Sequence, residues 1–277
     1  MKLNLVFSLL VLAGACSTKQ KEALKPNRAL PQTIQEAVTG SSYRTEENKK
    51  RDIYRHPVET LNFFGLKPDM TVVEVFPGTG WYMEIIAPLV AQKGKYIMAS
   101  PSSNPEKPYT VVNEQKIKSW MSLNPEVSHN MVISTFDLPK KTTIFPENSA
   151  DMVLTFRNVH NWMMMKAEKD AFKAFYKVLK PGGVLGVVEH REDPKKNDPK
   201  AKSGYVREKD VISMALKAGF KLVAKSEINA NPKDTKNHPE GVWTLPPSLK
   251  LGDKDKEKYL SIGESDRMTL KFIKPLK

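Results

Sequence analysis

Two histidines and a glutamate stand where a proton could be transferred. His160 follows one predicted strand, and Glu189 and His190 end another. An imidazole changes charge near neutral pH, so either histidine could act as a general base or, equally, as a hydrogen-bonding support. The same three side chains could also ligate a metal ion. Because no His-x₃-His pair on a helix accompanies them, the sequence predicts no metal site.

Basic and amide side chains next to these histidines suit a negatively charged ligand. Arg157 and Asn158 lie just before His160, and Arg191 directly follows His190. A guanidinium group can hold a carboxylate through two parallel hydrogen bonds. We therefore predict Arg157 or Arg191 as an anchor for a carboxylate or for the substrate, with a structural ion pair as the alternative. The predicted catalytic residues are His160, His190 and Arg191.

A glycine-containing turn predicts a ligand site near the start of the domain. Residues 71–82, TVVEVFPGTGWY, begin as a valine-rich buried strand, and Glu74 stands near its carboxyl end. Gly78 and Gly80 permit a sharp turn and a close approach of the backbone to a ligand. A helix that begins near Trp81 then points unpaired N–H groups towards that ligand.

The order of the acid and the glycines narrows the choice of ligand. A dinucleotide fingerprint needs a third glycine, but Met83 occupies that position and the acid precedes the turn. A phosphate-binding loop needs Gly-Lys-Ser/Thr after the turn, and the sequence has another tripeptide there. An acid followed by Gly-x-Gly instead favours S-adenosylmethionine (SAM). An ordinary strand-to-helix connection is the alternative.

Alternating strands and helices must position these residues. From residue 71 onward the predicted strands and helices follow each other with short connections, including a helix at residues 166–179 and a turn at residues 180–183. Such alternation indicates a Rossmann-like, doubly wound, mostly parallel α/β sheet with helices on both faces. A longer link precedes the last strand, residues 268–273. We therefore predict seven strands, the last of them antiparallel.

Ligands of doubly wound sheets bind outside the carboxyl ends of the strands. The second predicted strand ends at Ser100, the third at Asp137 and the fourth at Phe156. Asp137 could accept a hydrogen bond from an exocyclic amine such as that of adenine. A turn aspartate before Leu138 explains the same residue equally well.

The length and charge of the chain limit its possible domain organisation and partners. The chain has 277 residues and suits a single catalytic domain, which we place at residues 45–277. Its formal net charge of +13 would suit anionic partners such as phospholipid headgroups. However, lysines alternate with acids, as in residues 250–258, and no nucleic-acid-binding motif accompanies them. We expect no nucleic-acid partner.

The N-terminal residues predict export. Residues 1–15 contain a basic start, a short apolar stretch and Ala-Gly-Ala before Cys16, as in a signal peptide. Cys16, the single cysteine, stands where a bacterial lipoprotein is cut and acylated, although plain secretion also fits. We expect a periplasmic or outer-membrane protein that is anchored through Cys16. Residues 16–44 predict a polar tether with one short helix at residues 32–38, and an intramolecular disulfide is excluded.

Together these motifs resemble those of class I SAM-dependent methyltransferases. Over residues 51–274 the chain is similar, more narrowly, to a group of predicted bacterial methyltransferases, many of them exported. The glycine turn and LKPGG, residues 179–183, are common to the superfamily. The narrower resemblance rests on RHP (55–57), FFG (63–65), TFRNVHNW (155–162), EHR (189–191), SEINANP (226–232), GVWTLPP (241–247) and IGESDRM (262–268).

The resemblance implies roles for individual residues. Glu74 and the two glycines match the first SAM motif, Asp137 matches the acid near adenine, and Phe156 and Arg157 match residues that line the methionine end. The residues predicted to bind SAM are therefore Glu74, Gly78, Gly80, Trp81, Ser100, Asp137, Phe156, Arg157 and Asn158.

Two departures from the family pattern weaken the implied grip on SAM. Phe76 and Pro77 replace the first glycine of the usual turn. Ser100 stands where an acid usually binds the ribose hydroxyls, although its hydroxyl can still form one hydrogen bond.

The leading prediction is transfer of a methyl group from SAM to a small-molecule or lipid-like acceptor. The reaction would be an in-line displacement, with His160 or His190 as the base. Residues 192–204 and the segment around Trp243 are predicted to close over the site. Because an exported enzyme must find SAM outside the cytoplasm, the alternative is a non-catalytic envelope lipoprotein that binds a nucleotide-like or anionic ligand.

Overall fold

The computed structural model describes residues 28–276 and contains a seven-stranded sheet. The predicted signal peptide and Cys16 lie outside these residues. The spatial order of the strands is β3-β2-β1-β4-β5-β7-β6. In chain order the strands are β1 Thr71–Val75, β2 Lys95–Ser100, β3 Met131–Thr135, β4 Ala150–Phe156, β5 Leu179–His190, β6 Lys221–Ser226 and β7 Arg267–Ile273.

The pairing directions confirm the predicted fold class. Strands β1 to β5 pair in parallel, whereas β7 runs antiparallel between β5 and β6. The strand order reverses between β1 and β4. In an open α/β sheet such a reversal leaves a crevice at the carboxyl ends of the two strands. The glycine turn after β1 and the polar segment after β4 therefore lie side by side.

Helices cover both faces of this sheet. A π-helical turn at Glu36–Gly40 precedes them, and a 3₁₀ turn at Gly241–Thr244 precedes the last one. They are α1 Glu46–Lys49, α2 Asp52–Arg55, α3 Pro57–Phe64, α4 Met83–Val90, α5 Pro108–Leu123, α6 Pro125–Ser128, α7 Val159–Met164, α8 Glu168–Val178, α9 Glu208–Lys217 and α10 Lys256–Ile262.

Successive side chains of β1 enter two different cores, because side chains alternate across a strand. Val73 packs in the core that contains Phe175 of α8. Val72 packs in the opposite core with Ile86 of α4. Full burial of one such side chain contributes about 1.5–3 kcal/mol. The central strands are thus held from both sides, and their carboxyl ends form a firm base for a site.

The structure corrects the predicted tether over its last residues. Ile34, Val38 and Tyr43 are buried in the core on the α4 side of the sheet. Trp120 of α5 also donates an Nε1–H bond to the Tyr43 carbonyl oxygen at 2.9 Å. The sequence here is mostly polar. Leu30, Ile34 and Val38 follow helical spacing over only about two turns, which is too short a stretch to predict the core that they enter. The folded unit therefore extends into the predicted tether at least as far as Ile34.

Two further differences concern local structure. The predicted turn at residues 180–183 lies inside β5 as an irregularity, because Ala150 pairs with Leu179 and Met152 with Val184. The helix predicted at residues 166–179 is α8, and a separate short helix, α7, precedes it.

Within residues 28–276, every helix is too short or too polar to cross a bilayer.

Candidate active site

The turn after β1 has an unusual backbone at three positions. Phe76, Gly78 and Gly80 all have positive φ angles, of 52°, 62° and 93°. A Cβ added to Gly80 would lie 2.7 Å from Cε of Met83, so this glycine permits the start of α4. A Cβ added to Gly78 would meet no heavy atom within 4 Å. Gly78 therefore faces open space, as a glycine that cradles a ligand does.

That open space is part of a cavity of about 670 Å³. The cavity extends from the turn over the ends of β2 and β3 and is closed by α5 and α7. Its volume lies within the range of about 300–1,000 Å³ that is typical of small-molecule sites. Its walls are largely apolar, with a few polar groups. They include Phe76, Gly78, Ser100, Tyr109, Asn158 and Met165.

Three of the residues predicted to bind SAM line this cavity: Gly78, Ser100 and Asn158. Asn158 is held in place, because its Nδ2 donates to the carbonyl oxygen of Val75 at 2.9 Å and lies 3.2 Å from Oγ1 of Thr155. The amide thereby links the end of β4 to the end of β1. The cavity thus lies at the reversal point of the strand order.

Other predicted residues lie near the cavity without lining it. Trp81 and Phe156 are buried, and the Phe156 ring stacks on Tyr82 with centroids 3.5 Å apart. Asp137 pairs its backbone with Lys141 in a tight turn and does not line the cavity.

Glu74 lies under the floor of the site. The carboxyl group is buried, and Oε2 accepts a hydrogen bond of 2.6 Å from the Tyr96 hydroxyl. Burial raises the pKa of Glu74 to about 7, although the Tyr96 hydrogen bond and the charges of Arg157 and Arg55 lower it. Burial also raises the pKa of Tyr96, so the shared proton stays on the phenol.

His160 and Glu189 form a buried pair. The Nδ1 atom of His160 lies 3.0 Å from Oε1 of Glu189, which in turn accepts the His190 backbone N–H at 2.8 Å. Oε2 of Glu189 accepts the Val159 N–H at 2.6 Å, at the start of α7. An ionised carboxylate can only accept hydrogen bonds, so Nδ1 of His160 carries the proton. Nε2 of His160 then keeps a lone pair that can accept a proton.

His190 lies against this pair in a neutral state. Its ring centroid is 5.4 Å from that of His160, and its Nδ1 is 2.5 Å from Oγ of Ser265. Burial lowers the pKa of His190 well below its ordinary value, and the charges of Arg267, Arg157 and Arg55 lower it further. The second histidine therefore suits a hydrogen-bonding role better than that of a charged group.

The set His160, Glu189 and His190 is the one group within residues 28–276 whose ligand atoms come close enough to hold a metal. Two features oppose a cation there. The oxygens of Glu189 already accept bonds from backbone N–H groups and from His160. Arginine charges also surround His190. The geometry favours proton transfer over metal binding.

The two arginines predicted as anchors, Arg157 and Arg191, differ in whether their side chains already have partners. Arg191 donates to both carboxylate oxygens of Glu227 at 2.7 Å and to Asp266 at 2.9 Å. The hydrogen bonds to Glu227 raise the pKa of Arg191 above its ordinary value. Arg157 has a positive φ of 61°, and its side chain forms no hydrogen bond or ion pair with any residue from 28 to 276. Arg157 is therefore available to a ligand, whereas Arg191 is occupied.

Four residues that lie beside Arg157 are not among the predicted site residues. They are Arg51, Arg55, Glu264 and Arg267, which are joined by ion pairs. Arg51 and Arg55 are four residues apart, a spacing that places two side chains on one helix face. That spacing was a signal for a shared site, but nothing local connects it to residues 264–267.

The segment around Trp243 lies close to the histidine pair. The Trp243 ring centroid is 6.0 Å from that of His160. The Val242 N–H donates to the carbonyl oxygen of Ser203 at 2.9 Å, which ties this segment to the loop before α9. Both segments predicted to close over the site are therefore connected to each other.

Comparisons with known proteins agree with this architecture. A family model described as a methyltransferase domain matches residues 111–187, whereas no curated protein matches the chain. A SAM-dependent methyltransferase from Aquifex aeolicus is 18% identical, with 82% of this chain and 97% of that chain covered and a TM-score of 0.52. A putative sarcosine dimethylglycine methyltransferase from Galdieria sulphuraria is 12% identical, with 83% of this chain and 88% of that chain covered and a TM-score of 0.55.

The chain therefore has the class I methyltransferase fold. The fold alone does not determine the reaction. The [4+2]-cyclase SpnF is also similar to this chain, at 17% identity, with 88% of this chain and 92% of that chain covered and a TM-score of 0.50. The reaction therefore depends on the residues around the cavity and the histidine pair.

Proposed function

We propose that this protein transfers a methyl group from SAM to a nucleophilic atom of a small-molecule or lipid-like acceptor. The observation that carries the proposal is the cavity at the strand-order reversal, with Gly78 on one side and Asn158 on the other. The match of residues 111–187 to a methyltransferase domain supports the same reaction.

The residues present fit SAM. The open space at Gly78 leaves room for a ligand against the backbone, and a side chain there would occupy that room. The Ser100 hydroxyl at the end of β2 suits a ribose hydroxyl, and Asn158 offers its side-chain carbonyl oxygen. The apolar walls, including Tyr109 and Met165, suit an adenine ring.

When bound, SAM supplies a methyl group on a sulfonium, and the acceptor's lone pair forms the new bond as the carbon–sulfur bond breaks and its electrons return to sulfur. The protein must then align the acceptor and remove its proton. Nε2 of His160 can take that proton, and Glu189 stabilises the resulting imidazolium through Nδ1–H. General-base catalysis of this kind contributes about 10²–10⁴-fold in rate.

Calorimetric titration with SAM and S-adenosylhomocysteine tests the proposal. The wild-type protein should bind both, and a Gly78→Val variant should lose about tenfold or more in affinity, because the side chain fills the ligand space and strains the backbone. Gly252→Val is the matched control, since Gly252 also has a positive φ and open surroundings but lies on the exposed surface. Wild-type protein that binds neither compound at millimolar concentration would refute the proposal.

We further propose that the protein is exported and anchored by a lipid on Cys16. The support is the sequence of residues 1–16 alone, which lie outside the described structure. Cell fractionation and mass analysis of the N-terminal peptide test this proposal. We expect a diacylated Cys16 in the membrane fraction that disappears in a Cys16→Ser variant. An intact N-terminus in the soluble cytoplasmic fraction would contradict it.

A further inference from the structure

Four arginines gather around one carboxylate at the end of β4 and the start of β7; we call Arg51, Arg55, Arg157 and Arg267 the arginine cluster. Nε of Arg51 lies 2.6 Å from Oε1 of Glu264, and Nε of Arg55 lies 3.5 Å from Oε2. Arg267 also donates to Oε2. Although burial raises the pKa of Glu264, the four guanidinium charges hold it well below its usual range.

The cluster contains more positive charge than Glu264 can balance. Arg55 is only 2% exposed, and its buried Nε has no hydrogen-bond partner within residues 28–276. The Arg157 side chain likewise has no partner within that range. Glu74 lies in electrostatic range of both, but its pKa of about 7 leaves it only partly ionised at neutral pH. Burial and neighbouring arginines lower the pKa of Arg55 well below its ordinary value and that of Arg157 to about 10.

An uncompensated buried charge is unfavourable for folding unless a partner arrives. The local geometry also keeps the two guanidinium groups ready for one. The Arg55 guanidinium stacks on the Trp81 ring at 4.6 Å, which covers its face and leaves its N–H edge for hydrogen bonds. Arg157 has a strained positive φ, and such strain is concentrated at ligand sites.

The cluster lies outside the cavity, towards β7. The cavity spans the half from β3 to β4, and none of the four arginines lines it. Arg267 instead begins β7, where it pairs with His190 across the sheet. His190 in turn lies 5.4 Å from His160, measured between ring centroids. An anion at the cluster would therefore sit beside the candidate base.

We propose that the arginine cluster binds a carboxylate or phosphate group of the methyl acceptor. The inference rests on the proposed methyl transfer and gives the acceptor a chemical class: a molecule with an anionic group close to its nucleophilic atom. Guanidinium groups suit such oxyanions because they donate two parallel hydrogen bonds. The carboxylate of SAM itself has the same chemistry, so the test must separate the two sources.

Anion binding can be measured by thermal unfolding of the full-length protein in the presence of inorganic phosphate or acetate. Sodium chloride keeps the ionic strength constant across all samples. We expect the midpoint to rise with phosphate or acetate in the wild type. In Arg55→Met and Arg157→Met the apparent affinity should fall about tenfold or more, because the paired hydrogen bonds are lost. Arg207→Met is the matched control, since Arg207 is already paired with Asp210 at 2.7 Å. No rise in the wild type, or an equal rise in both cluster variants, overturns the site.

The stability of the ligand-free variants separates binding from a structural role. Because Arg55 shares the single charge of Glu264 with Arg51 and Arg267, Arg55→Met should unfold at the wild-type temperature or above it. A clear decrease for Arg55→Met identifies a structural cluster and overturns the proposal. If Arg157→Met does not fold, Arg157→Lys keeps the charge without the planar fork and should still bind phosphate more weakly than the wild type.

Calorimetry with SAM separates the two sources of the anion. We expect Arg55→Met, at a residue outside the predicted SAM-binding set, to keep SAM affinity within about threefold of the wild type, while its phosphate affinity falls. A parallel loss of SAM affinity would assign the cluster to the SAM carboxylate and overturn the acceptor assignment. Phosphate binding at the cluster by a wild-type protein that does not bind SAM would refute the methyl transfer but not the anion site.

Discussion

The Nδ1 atom of His160 lies 3.0 Å from Oε1 of Glu189, although the two residues come from the ends of different strands. The contact exists because β4 and β5 are parallel neighbours, so their carboxyl ends meet at one edge of the sheet. Glu189 also holds the first N–H group of α7, the helix that carries His160. One carboxylate thus determines both the position of the histidine and the nitrogen that bears its proton.

Replacing Glu189 by Gln should therefore impair the base while preserving the shape of the site. We expect kcat to fall about 10²-fold with little change in KM, because the imidazole loses its charged partner and its preferred tautomer. Nitrogen NMR of histidine-labelled protein should show a proton on Nδ1 of His160 in the wild type only. Glu192→Gln, at a nearby buried glutamate, is the control. Unchanged tautomer and kcat in Glu189→Gln would contradict the assigned role.

Glu74 should make stability depend on pH. Its pKa rises from 4.5 to about 7 on folding, so the folded state binds the proton more tightly than the unfolded chain does. Protonated Glu74 contributes about 3 kcal/mol to the unfolding free energy. This contribution is fully present below about pH 4.5 and is lost as the pH rises towards 7. Urea unfolding at about pH 5 and about pH 8 measures the difference.

Glu74→Gln removes the titration and serves as the comparison for that measurement. The variant should be close to the wild type at low pH and more stable than the wild type at high pH. Tyr96 can still donate its hydroxyl to the Gln side-chain oxygen. A difference between the two proteins that does not change with pH would show that Glu74 titrates normally in the folded state.

Phe76 stands at a backbone angle that favours glycine, and its ring packs against Phe136 and Trp162 at 6.0 and 5.8 Å between centroids. Phe76→Gly should relieve strain of about 1 kcal/mol. It should also lose packing worth about 3 kcal/mol, for a net loss of about 2 kcal/mol. Phe76→Ala keeps the strain and should be less stable than Phe76→Gly in urea unfolding, the reverse of the usual order. An Ala variant that is more stable than the Gly variant would contradict the strained backbone.

The segment before α1 should contribute to stability, because it packs on the core. Val38→Asp buries a charge among apolar side chains and should lower the unfolding free energy by about 3 kcal/mol or more. Thr39→Asp, at the adjacent exposed position, should have an effect of at most about 0.5 kcal/mol. Chemical unfolding of both variants provides the measurement. Equal stability of the two would restore the interpretation of this segment as a tether.

Much of the fold could be predicted because strands and helices carry their own patterns. The valines of β1 and the apolar stripe of α8 indicated elements that the structure contains. The packing of Tyr43 on α5 could not be predicted, because it depends on a contact between residues 43 and 120. The same applies to residues 180–183, whose Pro-Gly-Gly sequence suggested a turn although pairing on both sides keeps them within β5.

The candidate site likewise contains some residues that could be predicted from the sequence and others that could not. The glycine turn and the residues at strand ends could be located in sequence, since parallel strands bring their carboxyl ends together. The partner of Glu74, Tyr96, could not, because it depends on the register between β1 and β2. The arginine cluster joins residues that are more than two hundred positions apart, which requires the antiparallel pairing of β7 with β5.

The most direct measurement is a crystal structure of the protein grown with S-adenosylhomocysteine. We expect the adenosyl group in the cavity between Gly78 and Asn158, with the ribose near Ser100. Density for solvent alone in that cavity at saturating ligand, or for the ligand at another place on the protein, would contradict it.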